Sequence, residues 1–188
     1  MSELPIVRVL ESAERAEQPV FYYDLGDPAC YLAAEQVMTA LPVVPEWEPV
    51  HLDTLEPRSR SSIERRAREL GLQPLRWPED WPPDTRQAML AATYAKRIGR
   101  AVAFSLAAFR QAFAGGRDLG DENTILIAGA ACEMHPTALL KGMATRSVTT
   151  ALDDATRRAR RAGVVSLPSI RVGEQIFGDV AAASQALR

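Results

Sequence analysis

The sequence predicts an α/β protein in which a small mixed sheet is interrupted by an all-helical block. Three stretches carry that prediction. Val20–Ala33, VFYYDLGDPACYLA, reads as an apolar strand running into a helix start at Asp27-Pro28. From Asp84 to Gly163 the pattern is almost entirely helical. Val165–Gly178, VSLPSIRVGEQIFG, reads as a strand opened by Pro168, a turn at Gly173-Glu174 and a returning strand. Strand, helix and strand, then helices, then strand, strand and helix pack most simply as helices on one sheet.

Val20–Leu25 combines valine, aromatics and leucine, the composition of a buried strand. Asp27 suits the N-cap of the next helix and Pro28 its first turn, where no backbone N–H is needed. That helix should run to about Ala40, ahead of Pro42. Trp47–Leu52 reads as a second strand, although Pro49 argues for a sheet edge or an irregularity. Ser61–Leu70 is a short, highly charged helix closed by Gly71. The run from Pro74 to Thr85, with Trp77-Pro78 and Trp81-Pro82-Pro83, is too rich in proline for regular helix or central strand.

Arg86–Arg97 and Arg100–Phe113 carry alanine, leucine and phenylalanine at three- and four-residue spacing, as core helices do. A homodimer face is their second reading. Gly115-Gly116 ends the latter, and helices at Glu122–Cys132, Pro136–Met143 and Thr145–Ala162 follow. Strands return at Ser169–Val172 and Gln175–Phe177, and Asp179 opens a terminal helix.

Composition narrows the function. The 188 residues are 47% hydrophobic, which suits one globular domain or a domain with a large insertion. A net charge of −2 gives no global case for nucleic acid or an anionic membrane surface. The arginines at 157, 158, 160 and 161 follow Asp153-Asp154 at helical spacing and read as a solvated face with intrahelical ion pairs. Cys30 and Cys132 fit neither a metal site nor a disulfide framework. No apolar run is long enough to cross a bilayer, and the first 20 residues lack a secretory layout, so a cytoplasmic protein is expected.

The two end segments look like the halves of a thioredoxin fold. Asp27-Pro28-Ala29-Cys30 sits where a redox Cys-x-x-Cys would be, with its first cysteine missing, and Leu167-Pro168 sits where an active-site cis-proline would be. Over nearly its whole length the chain resembles the kappa-class glutathione transferase and 2-hydroxychromene-2-carboxylate isomerase group, relatives of the bacterial disulfide oxidoreductase DsbA. The matching stretches are Tyr23-Asp24 followed by Asp27-Pro28-Ala29-Cys30-Tyr31-Leu32-Ala33, Pro82-Pro83-Asp84-Thr85, and Gly163 to Ser169. The resemblance implies a DsbA-like, thioredoxin-like fold with an all-helical insertion. Residues 18–83 and 163–188 would form the thioredoxin-like domain and residues 84–162 the insertion.

It also implies a site. Asp27 stands where the family has a serine that hydrogen-bonds the glutathione sulfur. An ionised aspartate has no proton to donate, so Asp27 reads as a helix cap, contributing about 0.5–2 kcal/mol over alanine, or as a general base; the two are compatible. Cys30 holds the resolving position; facing inward it would be inert, and facing outward it could exchange with glutathione as a single thiol. Leu167, before Pro168, would offer its backbone to the cysteinyl part of glutathione. Asp179 reads either as a ligand of the γ-glutamyl ammonium or as the cap of the last helix. Tyr23, Trp77, Trp81 and Asp84 would line a substrate pocket between the domains. His51 and His135 read as capping or surface residues.

The expected cofactor is glutathione, with no metal, and the expected partner is glutathione or a small apolar or aromatic substrate. Three functions follow: a glutathione-linked isomerase or transferase with altered active-site residues, a catalytically silent ligand- or protein-binding member, and a thiol oxidoreductase using Cys30 alone.

Overall fold

A computed structural model describes residues 18–52, 59–79 and 81–188. The reading of the N-terminal segment therefore lies largely outside the described residues. Four strands form one sheet in the order β2-β1-β3-β4. Here β1 is Val20–Tyr23, β2 Glu46–Pro49, β3 Ser169–Val172 and β4 Gln175–Phe177. β1 pairs in parallel with β2, opposing Phe21 to Trp47, and antiparallel with β3, opposing Phe21 to Ile170. β3 and β4 form the closing hairpin.

The parallel pair needs a crossover, supplied by α1, Pro28–Ala40. After β2 come α2, Arg60–Glu69, and the helical block: α3, Arg86–Arg97; α4, Ala101–Phe113; α5, Glu122–Ala130; α6, Pro136–Met143; and α7, Arg146–Arg161. The chain then re-enters the sheet and ends in α8, Val180–Ala186. The expected elements are all present, with ends moved by at most three residues. The second strand is the largest shift, stopping at Pro49 rather than Leu52. Pro49 lies on the outermost strand, where its missing N–H costs no ladder bond.

One face of the sheet carries an aromatic core. Phe21 and Tyr23, two apart on β1, share a face and stack at 5.4 Å, and Trp47 meets both edge-on at 5.0 and 5.5 Å. Tyr23 also meets Phe109 of α4 at 5.9 Å, and its hydroxyl lies 2.6 Å from that of Ser105. This contact fastens the helical block to the centre of the sheet.

Inside the block, glycines let helices approach closely. A Cβ at Gly142 would sit 2.3 Å from the Tyr94 ring, and one at Gly129 would sit 2.5 Å from Leu139. The outer edge of β2 is dressed with charge: Lys96 holds Glu46 at 2.7 Å and Glu48 at 2.9 Å, and Arg158 reaches Glu48 from α7. Arg157 pairs with Asp154, the intrahelical partner its spacing predicts.

Candidate functional site

Helix α1 begins at the C-terminal end of β1, and its start is built as the sequence predicts. Asp27 is the N-cap in extended conformation, accepting the Ala29 N–H at 2.7 Å, with Pro28 in the first turn. The Asp27 N–H in turn donates to the Asp24 carbonyl at 3.2 Å, tying the helix start to the strand end. Asp27 is only 1% exposed and Cys30 is fully buried. Both fill the body of the helix start rather than line an opening. The Leu167–Pro168 bond is cis, as expected, and Trp81–Pro82 is a second cis bond that the sequence reading did not anticipate.

Beside this helix start runs a groove of about 510 Å³. One wall is α1, through Ala29, Leu32, Ala33 and Gln36. The floor is Leu167, Pro168 and Ile170; the far end is Gly178, Asp179 and Val180. The opposite wall is α2, which contributes Ser62, Ile63, Arg65, Arg66 and Glu69. The lining thus mixes apolar side chains with the guanidinium groups of Arg65 and Arg66 and the carboxylates of Glu69 and Asp179. Arg66 is paired with Glu69 at 3.1 Å, whereas Arg65 has no ion-pair partner among the described residues. Asp179 caps α8 by accepting the Ala182 N–H at 2.8 Å and remains exposed at the groove's end. The cap and groove readings of Asp179 therefore coexist.

The structure thus brings together Leu167, Pro168 and Asp179, and sets the other sequence-predicted residues elsewhere. Tyr23 points into the core: it is fully buried, burial pushes its phenol far above the usual range, and Ser105 engages its hydroxyl. It does not line the groove. Trp77 and Trp81 form their own cluster, edge-on at 5.1 Å, with the Arg60 guanidinium 5.0 and 5.6 Å from the two ring centroids. Trp77 donates to Glu64 at 2.8 Å, while the buried indole N–H of Trp81 has no partner among the described residues. Asp84 is exposed and accepts the Arg86 N–H at the start of α3.

Two features were missed by sequence reasoning. One is the α2 wall of the groove. The other is a polar cluster behind the α1 start. Asp24, completely buried, accepts from the Gly26 N–H at 2.8 Å, from the Thr85 hydroxyl at 2.9 Å and from His51 Nδ1 at 3.0 Å. A buried carboxylate needs such partners, because removing it from water uncompensated is costly. The expectation of a merely capping or surface role for His51 is corrected: it bonds the buried carboxylate, and that hydrogen bond raises its pKa above the usual value. His135 does cap, accepting the Thr137 N–H at the start of α6.

The chemistry open to this arrangement is limited. With aspartate at position 27, the helix start cannot close an intramolecular disulfide through this motif. Among the described residues there is no cluster of three or more histidine, cysteine or acidic side chains able to hold a metal ion, and no helix long and apolar enough to cross a membrane.

Known proteins place the fold. Structures of similar architecture include 2-hydroxychromene-2-carboxylate isomerase, at 16% identity and TM-score 0.76, over 89% of this chain and 91% of that one. A probable DsbA oxidoreductase from Streptomyces coelicolor is 17% identical with TM-score 0.72, over 91% and 88%. The cytosolic disulfide reductase DsbM from Pseudomonas aeruginosa, in a structure with GSH, is 15% identical with TM-score 0.68, over 90% and 93%. A comparison with curated proteins returned no match. The model of the DSBA-like thioredoxin domain matches residues 20–186, the span that holds the whole sheet, the helical block and the groove. The chain belongs to the DSBA-like thioredoxin-domain family.

Proposed function

We propose that this protein binds glutathione in the groove between α1, α2 and the Leu167–Pro168 loop, and uses it in isomerase or transferase chemistry on a small apolar or aromatic substrate. The observation that carries the reading is the distribution of charge along that groove. Glutathione bears one ammonium, two carboxylates and a short thiol side chain. Asp179 at one end suits the ammonium, Arg65 and Arg66 suit a carboxylate, and the main chain at Leu167 can pair with the peptide between them. The volume falls within the range of small-molecule sites. A fold relative has been captured with GSH, and another is named as an isomerase. Dithiol exchange is disfavoured, because position 27 is aspartate and Cys30 is buried.

A second reading, a ligand-binding member without turnover, is favoured by one fact. Neither Asp27 nor Cys30 reaches the groove surface.

Calorimetric titration with reduced glutathione tests the binding claim. Wild type should bind, and Asp179→Asn, which keeps the capping oxygen and removes the charge, should bind about tenfold or more weakly. Arg65→Ala should weaken binding in the same direction. Failure of wild type to bind refutes the proposal. Binding without thiol-dependent turnover of small electrophiles would establish the second reading instead.

A further inference from the structure

We propose that a second cavity, on a different face of α1 from the groove, binds a small uncharged aromatic ligand that carries a hydroxyl, received by Tyr31 and the Glu35–Arg110 pair. The inference stands apart from the glutathione reading, because the two cavities share no lining residue.

The cavity holds about 340 Å³, within the range of small-molecule sites. Helical spacing separates it from the groove. Ala29, Leu32, Ala33 and Gln36 line the groove, whereas Tyr31 and Glu35, four residues apart, share another face of α1. The facing wall is the end of α4, through Arg110 and Ala114, and the third side is Leu72-Gln73. Gly71, at a φ of 69°, ends α2 and turns the chain so that Leu72 closes on the cavity.

A buried phenol is the observation that asks for a ligand. Tyr31 is 3% exposed, and its ring packs on Phe113 at 5.6 Å and Phe109 at 6.2 Å. Its hydroxyl has no hydrogen-bond partner among the described residues. Buried tyrosines ordinarily find one, as Tyr23 does at Ser105. The two charges felt by the Tyr31 phenol, Glu35 and Arg110, both line the cavity, so its polar end lies on that side. Burial and Glu35 push its pKa up against the effect of Arg110, which keeps the phenol protonated and able to donate.

The lining decides the ligand's charge. Arg110 Nε and Nη2 donate to the two Glu35 oxygens at 2.7 and 2.8 Å, so the pair is already neutral. A ligand carboxylate would meet Glu35, and a ligand ammonium would meet Arg110, at close range. A hydroxyl suits both partners: it donates to a lone pair left on Glu35 and accepts from Tyr31. The Tyr31 ring, Leu72 and Ala114 supply apolar contact for an aromatic body.

The probe is 4-methylphenol, titrated into isotope-labelled protein and followed by amide NMR. Saturable shifts should appear at Gly71, Leu72, Gln73 and Ala114. Toluene, which lacks the hydroxyl, and 4-methylbenzoate, which is anionic, should bind about fivefold or more weakly. Tyr31→Phe should weaken 4-methylphenol binding to the same degree with Tm unchanged, since no hydrogen bond within the protein is lost. Arg65→Ala and Asp179→Asn, which alter the groove, should leave this binding as it is. The site is overturned by absence of saturable shifts, by equal affinity for toluene or 4-methylbenzoate, by full affinity in Tyr31→Phe, or by loss of binding in Arg65→Ala. Glutathione binding is read separately by calorimetry, so failure of one proposal leaves the other standing.

Discussion

The hydroxyls of Tyr23 and Ser105 lie 2.6 Å apart although 82 residues separate them in the chain. One sits at the end of the central strand and the other inside α4, so this single bond joins the sheet to the helical block in its driest region. Tyr23→Phe keeps the ring contacts with Phe21, Trp47 and Phe109 and strands the serine hydroxyl. The expected cost is about 1–2 kcal/mol, measured by urea unfolding, with no loss of glutathione binding.

The same tyrosine gives an alkaline signature. Its phenol is held neutral by burial, so its folded-state pKa lies far above the usual value. The contribution to stability is therefore intact below the ordinary tyrosine pKa and lost as pH rises beyond it. Wild type should destabilise more steeply than Tyr23→Phe above about pH 10, as followed by circular dichroism.

His51 produces a dependence nearer neutrality. Its pKa is raised chiefly by the hydrogen bond to Asp24, against the opposing effect of burial. A raised histidine pKa stabilises the fold fully below the unfolded value, near 6.5, and the benefit fades as pH climbs through the folded value. The difference in Tm between wild type and His51→Gln should accordingly be larger at pH 5.5 than at pH 8.5, both about one to two units from that reference. A constant difference would refute this linkage.

Asp27 separates two roles that the sequence left joined. Asp27→Ala should cost about 0.5–2 kcal/mol through loss of the bond to the Ala29 N–H, while Asp27→Ser should recover most of it. Asp27→Cys recreates a Cys-x-x-Cys with Cys30 at a helix N-terminus, where thiolates are favoured. That variant should reduce insulin under conditions in which wild type does not.

Gly142 probes packing within the block. A methyl group there overlaps the Tyr94 ring, an effect larger than the roughly 1 kcal/mol that alanine gains over glycine in a helix. Gly142→Ala should lower stability by a net amount of about 1–2 kcal/mol in calorimetry.

Much of the fold could be read from local chemistry. Pro28 after Asp27, Gly71 after a charged helix and Pro168 at a strand start each declare their roles within a few residues. What stayed hidden depends on where strands come to rest beside each other. Asp24 and His51 meet only because β1 and β2 run parallel in one register, and nothing in either segment names the other. Likewise, helical periodicity shows that α2 has a charged face but not that Arg65 and Arg66 line the same groove as Asp179. Tyr23 and Trp77 illustrate the converse: aromatic residues beside a catalytic motif invite a pocket role, yet β1 is buried on both faces, Tyr23 included, and Arg60 covers Trp77.

The charged trim on β2 has a consequence beyond stability. An outer strand with free backbone groups is a template on which another chain can lengthen the sheet. Here Pro49 removes one donor, and the Lys96 and Arg158 pairs with Glu46 and Glu48 place bulky, hydrated side chains along the rest. The protein should therefore tolerate concentration without fibril growth from that margin, and Pro49 together with Lys96 forms the guard to remove when that resistance is put to the test.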